Sequence, residues 1–256
     1  MCYTPTLYYW VKPDNYLKSG GTDSVNQIWR LGLKILLPYA RRWDKKMSQR
    51  PDAIYGISTA VVNRIKKYYN RDAELLYPPT DIERFTNKGV LERSGFVVFG
   101  RQVTHKRIDL AIKACNEIGA PLTVIGNGPE HERLKSIAGT TITFKTNVSD
   151  EDMVKHISKA QAFIFPNEED FGIVSVEAQA AGIPVIAYRA GGALDTVTEG
   201  VTGEFFDKQT VECLAEKLKN FNYKLYNRAS IVENAKRFSN ETFASRIHEI
   251  ISNHTA

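Results

Sequence analysis

The stretch Pro166–Gly192 reads PNEEDFGIVSVEAQAAGIPVIAYRAGG and follows the short apolar run Ala162–Phe165. A four-residue apolar run ended by a proline predicts a buried strand, and Phe171-Gly172-Ile173 opens a helix after the acidic loop Glu168, Glu169 and Asp170. Glu169 on the loop and Glu177 inside the helix are separated by seven residues. A helix start offers free backbone N–H groups and the positive end of a dipole, here beside two carboxylates, and Gly172 lets a ligand approach the backbone closely. An anion flanked by hydroxyl groups fits this arrangement. Its phosphates would meet the backbone at Phe171, Gly172, Ile173 and Val174, and its hydroxyls would donate to Glu169 and Glu177. A sugar attached to a nucleotide diphosphate is such a ligand. The same residues also read as a helix start favoured by acidic side chains, with Glu177 on a solvated face.

Outward from this stretch, strand and helix patterns alternate. Strands are expected at Phe96–Phe99, Leu122–Ile125, Ile142–Phe144, Ala162–Phe165 and Val185–Ala187. Helices are expected at Arg107–Ile118, Glu130–Ile137, Asp150–Ser158 and Ile173–Ala181. Short apolar strands alternating with helices imply an α/β fold, a doubly wound parallel sheet that binds ligands beyond the carboxyl ends of its strands.

Two more loops lie at such ends. Gly100-Arg-Gln-Val-Thr-His-Lys106 puts Arg101 and Lys106 where a pyrophosphate would lie, one as a bidentate fork and one as a point charge. They also read as ordinary surface cations. Gly126-Asn127-Gly128-Pro129 is a turn that lets backbone approach closely, a weak signal alone because Gly and Asn are common turn residues. Asp150-Glu-Asp152 follows Ser149 and reads as acidic residues at a helix start, so no metal is assigned to it. The five histidines show no ligand spacing.

With 256 residues and 43% hydrophobic content, the chain is long enough for one large domain or two smaller ones, and disorder is not indicated. A net charge of +5 suits an anionic ligand, an anionic membrane surface or nucleic acid equally. Cys2, Cys115 and Cys213 form no disulfide framework or zinc pattern, so a reducing cytoplasm is the expectation. No run approaches a spanning helix of ~18 apolar residues.

Before Pro78 the pattern is sparser. The opening MCYTPTLYYWVKPDNYLKSGG reads as a loop without helix or strand of its own. Thr22–Arg50 reads as a basic amphipathic helical pair broken at Pro38, with apolar Ile28, Leu31, Ile35 and Leu36 set among Arg30, Lys34, Arg41, Arg42, Lys45 and Lys46. It suits either an anionic membrane or a domain surface with a buried Ile/Leu stripe. Ala53–Ile57 and Ala73–Tyr77 read as strands around a helix, Thr59–Tyr69, capped by Ser58. Two strands are few for a doubly wound domain, so a partial first domain is expected.

Taken together, the 166–192 stretch with its seven-spaced glutamates, the Arg101/Lys106 loop, the Gly126–Pro129 turn, Thr202-Gly-Glu-Phe205 and Arg237–Phe243 resemble the retaining glycosyltransferases of family 4, in the GT-B group. The resemblance spans nearly the whole chain. Ser175 departs from a proline, Asp195 stands where a glutamate is more usual, and Tyr3 stands where a histidine near the acceptor is expected.

The resemblance implies a GT-B-like fold, with a donor-binding domain at 95–238 and a partial acceptor-side Rossmann-like domain at 1–85. A linker at 86–94 joins them, and a C-terminal helix at 239–256 packs back on the first domain. It implies that Glu169 binds the donor sugar, Glu177 the ribose, and Arg101 and Lys106 the diphosphate, with Gly126, Asn127 and Gly128 lining the donor site. The expected activity is metal-independent transfer of a hexosyl group from a nucleotide diphosphate sugar to a glycan or lipid-linked acceptor with retention, in polysaccharide or glycolipid synthesis. No cofactor and no nucleic-acid partner are expected, and peripheral contact with the inner face of the membrane is. The rival is a non-catalytic nucleotide-sugar-binding protein or a truncated, inactive family member. An epimerase would need further acid/base residues, and a glycosidase makes no use of a cationic diphosphate loop.

Overall fold

The computed structural model describes residues 1–11, 27–86 and 92–255, which group into two compact units, Met1–Tyr77 and Pro78–Ala256.

In the first unit, α1 is Gln27–Met47, β1 Tyr55–Gly56, α2 Thr59–Tyr69 and β2 Glu74–Leu75. β1 and β2 pair in parallel, Tyr55 opposite Glu74, and Cys2 bridges to Gly56. α2 begins where the sequence expects it, because the Ser58 hydroxyl accepts from the Val61 N–H at 3.2 Å and so satisfies an otherwise orphaned donor.

Two expectations for this unit fail. The opening is not all loop: Leu7–Val11 forms a wide helical turn. Tertiary ties fix it rather than any local pattern. The Arg41 Nε donates to the Tyr9 carbonyl at 2.7 Å, and Trp10, Tyr69 and Thr6 all donate to the Asp44 carboxylate. Pro38 likewise does not break the basic segment, since α1 runs through it. A missing proline N–H costs the helix one bond, and the anchors at Arg41 and Asp44 hold the half beyond the proline. Ile35 and Leu36 are exposed. The side chains of Ile28, Arg30, Leu31 and Lys34, and most of the 86–94 linker, lie outside the described residues.

The second unit continues with β3 Phe96–Phe99, α3 Ile108–Ile118, β4 Leu122–Ile125, α4 His131–Ser136, β5 Ile142–Lys145 and α5 Asp150–Lys159. It is completed by β6 Ala162–Phe165, α6 Ile173–Ala180, β7 Val185–Tyr188, α7 Ala193–Thr196, β8 Gly203–Phe206, α8 Val211–Asn220, α9 Arg228–Lys236 and α10 Asn240–Thr255. The six strands form one parallel sheet in the order β5-β4-β3-β6-β7-β8. Alternate strand residues point to opposite faces, so the complete burial of every residue in β3 and β6 requires cover on both sides. α3 packs against α8, and α6 against α9. β5, at the edge, is only partly covered.

The segment from Pro78 belongs with this second unit instead of ending the first at Phe85. Its Thr80 N–H donates to the Phe238 carbonyl at 2.8 Å, and Thr80 bridges in parallel to Ser239.

The chain builds the sheet outward from β3 through β4 to β5, then returns to lay β6 on the other side of β3. Between the carboxyl ends of β3 and β6 the strand order reverses. The two following loops diverge there and leave a crevice.

Candidate functional site

Both charged loops of the sequence reading open onto that crevice. Arg101 and Lys106 follow β3; Asn167 and Glu169 follow β6. Together with Val174 of α6 they line a small cavity floored by phenylalanines of the two strands.

Lys106 and Glu169 are ion-paired across the crevice. Their side chains are 25% and 19% exposed, so the pair is screened less than a surface one. Glu169 is held from its own side too, since the Asn167 amide donates to the same carboxylate oxygen at 2.9 Å. Asn167 is itself buried. The Gly192 N–H donates to the Glu169 carbonyl at 2.8 Å, and a Cβ on Gly191 would fall 2.2 Å from that carbonyl oxygen. The Gly-Gly pair that closes the quoted stretch is therefore packed onto the acidic loop.

Glu177 lies partly buried in α6. Burial pushes its carboxyl up to about 7; the charges of Arg84 and Lys106 oppose that rise and Asp81 adds to it. Lys106 thus pairs with one glutamate and is felt by the other. Asp81 and Arg84, which the sequence reading did not single out, stand near enough to act on the second.

The start of α6 carries Gly172 at φ 91° with no side-chain cap. Phe165 closes on the bare face of this glycine, where a Cβ would sit 2.6 Å from the ring. The Phe171 side chain is buried edge-on against Phe238, with ring centroids 5.5 Å apart. Ile173 points outward.

The turn Gly126-Asn127-Gly128 requires its glycines because backbone of the neighbouring loop comes close to it. A Cβ on Gly126, which has φ +119°, would meet the Gly100 carbonyl at 2.2 Å, and one on Gly128 would meet the Gln102 carbonyl at 2.3 Å. Their side-chain-free faces pack on the neighbouring loop.

Ser175, the departure from proline, is fully buried. Its hydroxyl lies 3.1 Å from that of Thr196, within a network in which Gln179 and Asn234 both donate to the Thr196 carbonyl.

The acidic run at Asp150 starts a helix: Ser149 caps the Asp152 N–H, Arg84 pairs with Asp150, and Lys155 reaches Glu151 at 2.8 Å. Among the described residues no group of three or more His, Cys, Asp or Glu is placed to hold a metal ion, and no helix is long and apolar enough to cross a membrane. Tyr3 is exposed in the first unit.

A six-stranded parallel sheet with charged loops at its switch point makes the second unit a doubly wound α/β unit, and the solved structures it resembles in fold are GT-B glycosyltransferases. The chain belongs to the family described as glycosyl transferases group 1, whose profile matches residues 80–238.

Among its relatives is the GDP-mannose-dependent alpha-(1-6)-phosphatidylinositol monomannoside mannosyltransferase of Mycobacterium tuberculosis. It is 29% identical over 212 residues, covering 71% of this chain and 55% of the relative. The capsular polysaccharide biosynthesis glycosyltransferase CapM of Staphylococcus aureus is 34% identical over 134 residues, 49% of this chain and 34% of that protein. The chain thus spans about half, or less, of the length of these relatives.

Among solved structures, sucrose-phosphate synthase from Thermosynechococcus elongatus superposes with a TM-score of 0.72 at 21% identity, over 84% of this chain and 61% of the other. The Anabaena protein HepE in complex with UDP does so with a TM-score of 0.72 at 20% identity, over 83% and 67%. At these identities the likeness concerns the fold.

Proposed function

We propose that the second unit binds a nucleotide diphosphate sugar in the crevice between β3 and β6, and that the protein transfers the hexosyl group to a glycan or lipid-linked acceptor with retention. The observation that carries this reading is the convergence of Arg101, Lys106, Glu169 and the start of α6 on one cavity, with Lys106 acting on both glutamates.

As the glycosidic bond breaks, negative charge collects on the departing diphosphate. Arg101, Lys106 and the N–H groups at Gly172–Val174 stabilise it with charges already in place. Glu169, oriented by Asn167, accepts from sugar hydroxyls, and Glu177 from the ribose. No divalent cation enters this scheme. The family, the GDP-mannose dependence named for the mycobacterial relative and the UDP held by HepE support a sugar nucleotide as donor.

For the first unit we propose contact with an anionic lipid surface through α1, at the inner face of the cell membrane. Its Ile35, Tyr39 and Trp43 are exposed four residues apart, with Arg42 and Lys46 on the same side of the helix by spacing. Co-sedimentation with phosphatidylglycerol vesicles should be strong in low salt and lost from Trp43→Ser. Equal sedimentation with neutral vesicles refutes it.

The donor reading is tested by incubating the chain with radiolabelled UDP-glucose, GDP-mannose and related donors, scoring filter retention, hydrolysis and transfer to lipid and glycan acceptors. Retention of at least one donor, abolished by Lys106→Ala, is expected. Retention of none refutes it. Retention without transfer to any acceptor would favour a binding protein over an enzyme.

A further inference from the structure

Gln102 follows Arg101 directly, yet its side chain is completely buried. Its backbone already joins the two strand-end loops: its N–H donates to the Asn127 carbonyl at 2.9 Å, and its carbonyl accepts from the Glu130 N–H at 3.1 Å. The side chain adds a second tie. Its Nε2 donates to the Gly126 carbonyl at 2.7 Å, and its Oε1 lies 2.7 Å from Nδ1 of His131, the first residue of α4. His131 in turn stands edge-on to Phe144, ring centroids 5.5 Å apart, and its own N–H donates to the Gly128 carbonyl at 3.0 Å.

The polarity of this chain of bonds is fixed by its end. A carbonyl only accepts, so the Gly126 oxygen must face the amide nitrogen, which turns Oε1 toward His131. Nδ1 must then carry a proton, and the neutral ring is held as the Nδ1–H tautomer. A protonated ring satisfies the same bond, so the brace does not depend on the charge of His131.

We infer that Gln102 and His131 are positioning residues: they clamp the Gly126–Gly128 turn onto the Arg101–Lys106 loop and so fix where the cations meet the donor's diphosphate. The inference rests on the donor reading above. Gly126 is held at φ +119° with its bare face on the Gly100 carbonyl, a contact that tolerates little drift. When the side-chain tie is removed, the backbone bonds of Gln102 remain. The sheet, held by its own strand pairings, persists, while the loop carrying Arg101 keeps its backbone ties and loses its side-chain clamp.

The test compares Gln102→Leu, His131→Leu and His131→Asn with the unaltered chain. Asparagine keeps an N–H donor two bonds beyond Cβ, where Nδ1 stands in histidine; leucine fills space without one. UDP and GDP are titrated into each protein by calorimetry, and the His131 tautomer is read from nitrogen-15 NMR. We expect the Nδ1–H form in the unaltered chain and its loss in Gln102→Leu. Nucleotide affinity should fall about tenfold in both leucine variants and stay within about twofold in His131→Asn.

Undiminished affinity in Gln102→Leu, an equal loss in His131→Asn and His131→Leu, or an Nε2–H ring in the unaltered chain would each overturn the inference and leave the donor reading intact. Failure of the unaltered chain to bind either nucleotide would overturn the donor reading, and the assignment to a diphosphate with it.

Discussion

Replacing Glu177 by glutamine should have opposite effects on the empty protein and on its ligand complex. Burial pushes the Glu177 carboxyl from its ordinary 4.5 up to about 7. Below pH 4.5 both folded and unfolded chains carry the proton, and nothing is lost. Between 4.5 and 7 the unfolded chain ionises while the folded one holds its proton, so stability falls as pH rises and levels off above the folded value. At 1.36 kcal/mol per pH unit the loss is about 3 kcal/mol in all, about 2 to 3 of it between pH 5 and pH 8.

Glu177→Gln has no such proton to release. Its stability relative to the unaltered chain should therefore climb by about 2 to 3 kcal/mol over the same interval. Urea unfolding followed by far-ultraviolet circular dichroism at pH 5 and pH 8 measures this. Tryptophan fluorescence would not, because Trp10, Trp29 and Trp43 all precede Tyr77 and none reports on the second unit. The bound state should respond in the other direction. Ribose hydroxyls donate to a carboxylate better than to an amide oxygen, so affinity for nucleotide at pH 8 should drop in the variant. A stability difference that stays flat from pH 5 to pH 8 would refute the assigned burial of Glu177.

Lys106→Ala and Arg101→Ala should each weaken binding of UDP or GDP about tenfold or more by calorimetry, since charge-assisted contacts contribute ~1.5 to 3 kcal/mol; unchanged affinity in both excludes the crevice. EDTA should leave nucleotide binding intact, and rescue by magnesium after its loss would return the Asp150–Asp152 run to consideration. Gly126→Ala should destabilise the second unit by more than about 1 kcal/mol, because φ is +119° and the new methyl would fall 2.2 Å from the Gly100 carbonyl; a thermal midpoint unmoved by it would contradict that backbone.

Five of the six strands of the second unit, β3 to β7, were legible because each carries its own apolar run, whereas β8 was marked only by the Thr202–Phe205 resemblance. Phe96–Phe99, Leu122–Ile125 and Ala162–Phe165 are apolar runs with turn residues at their ends, and Ser149, like Ser58 in the first unit, announces a helix start through a local hydrogen bond. The charged loops were legible for the same reason, as motifs at strand ends.

What escaped was set by partners distant in sequence. The continuity of α1 through Pro38 depends on Asp44 meeting Trp10 and Tyr69, 34 and 25 residues away. Gln102 carried no mark in the sequence, and only the arrival of Gly126 and His131 gives it a role. For the Gly126–Gly128 turn the sequence marked where backbone can come close but not that the Gly100–Gln102 backbone comes close to it. Asn167 had no mark at all beyond standing two residues before Glu169.

In the crevice the lysine proposed for the phosphates and the glutamate proposed for the sugar satisfy one another. Donor binding as proposed would therefore be an exchange of partners. A nucleotide without its sugar would draw Lys106 away and leave Glu169 to Asn167 alone, and a free sugar would meet a carboxylate already engaged. A donor that offers phosphates and hydroxyls together can compensate both sides of the broken pair at once. The intact sugar nucleotide should therefore bind better than the affinities of its separated halves would suggest, and cleaving it should restore the pair as the fragments leave.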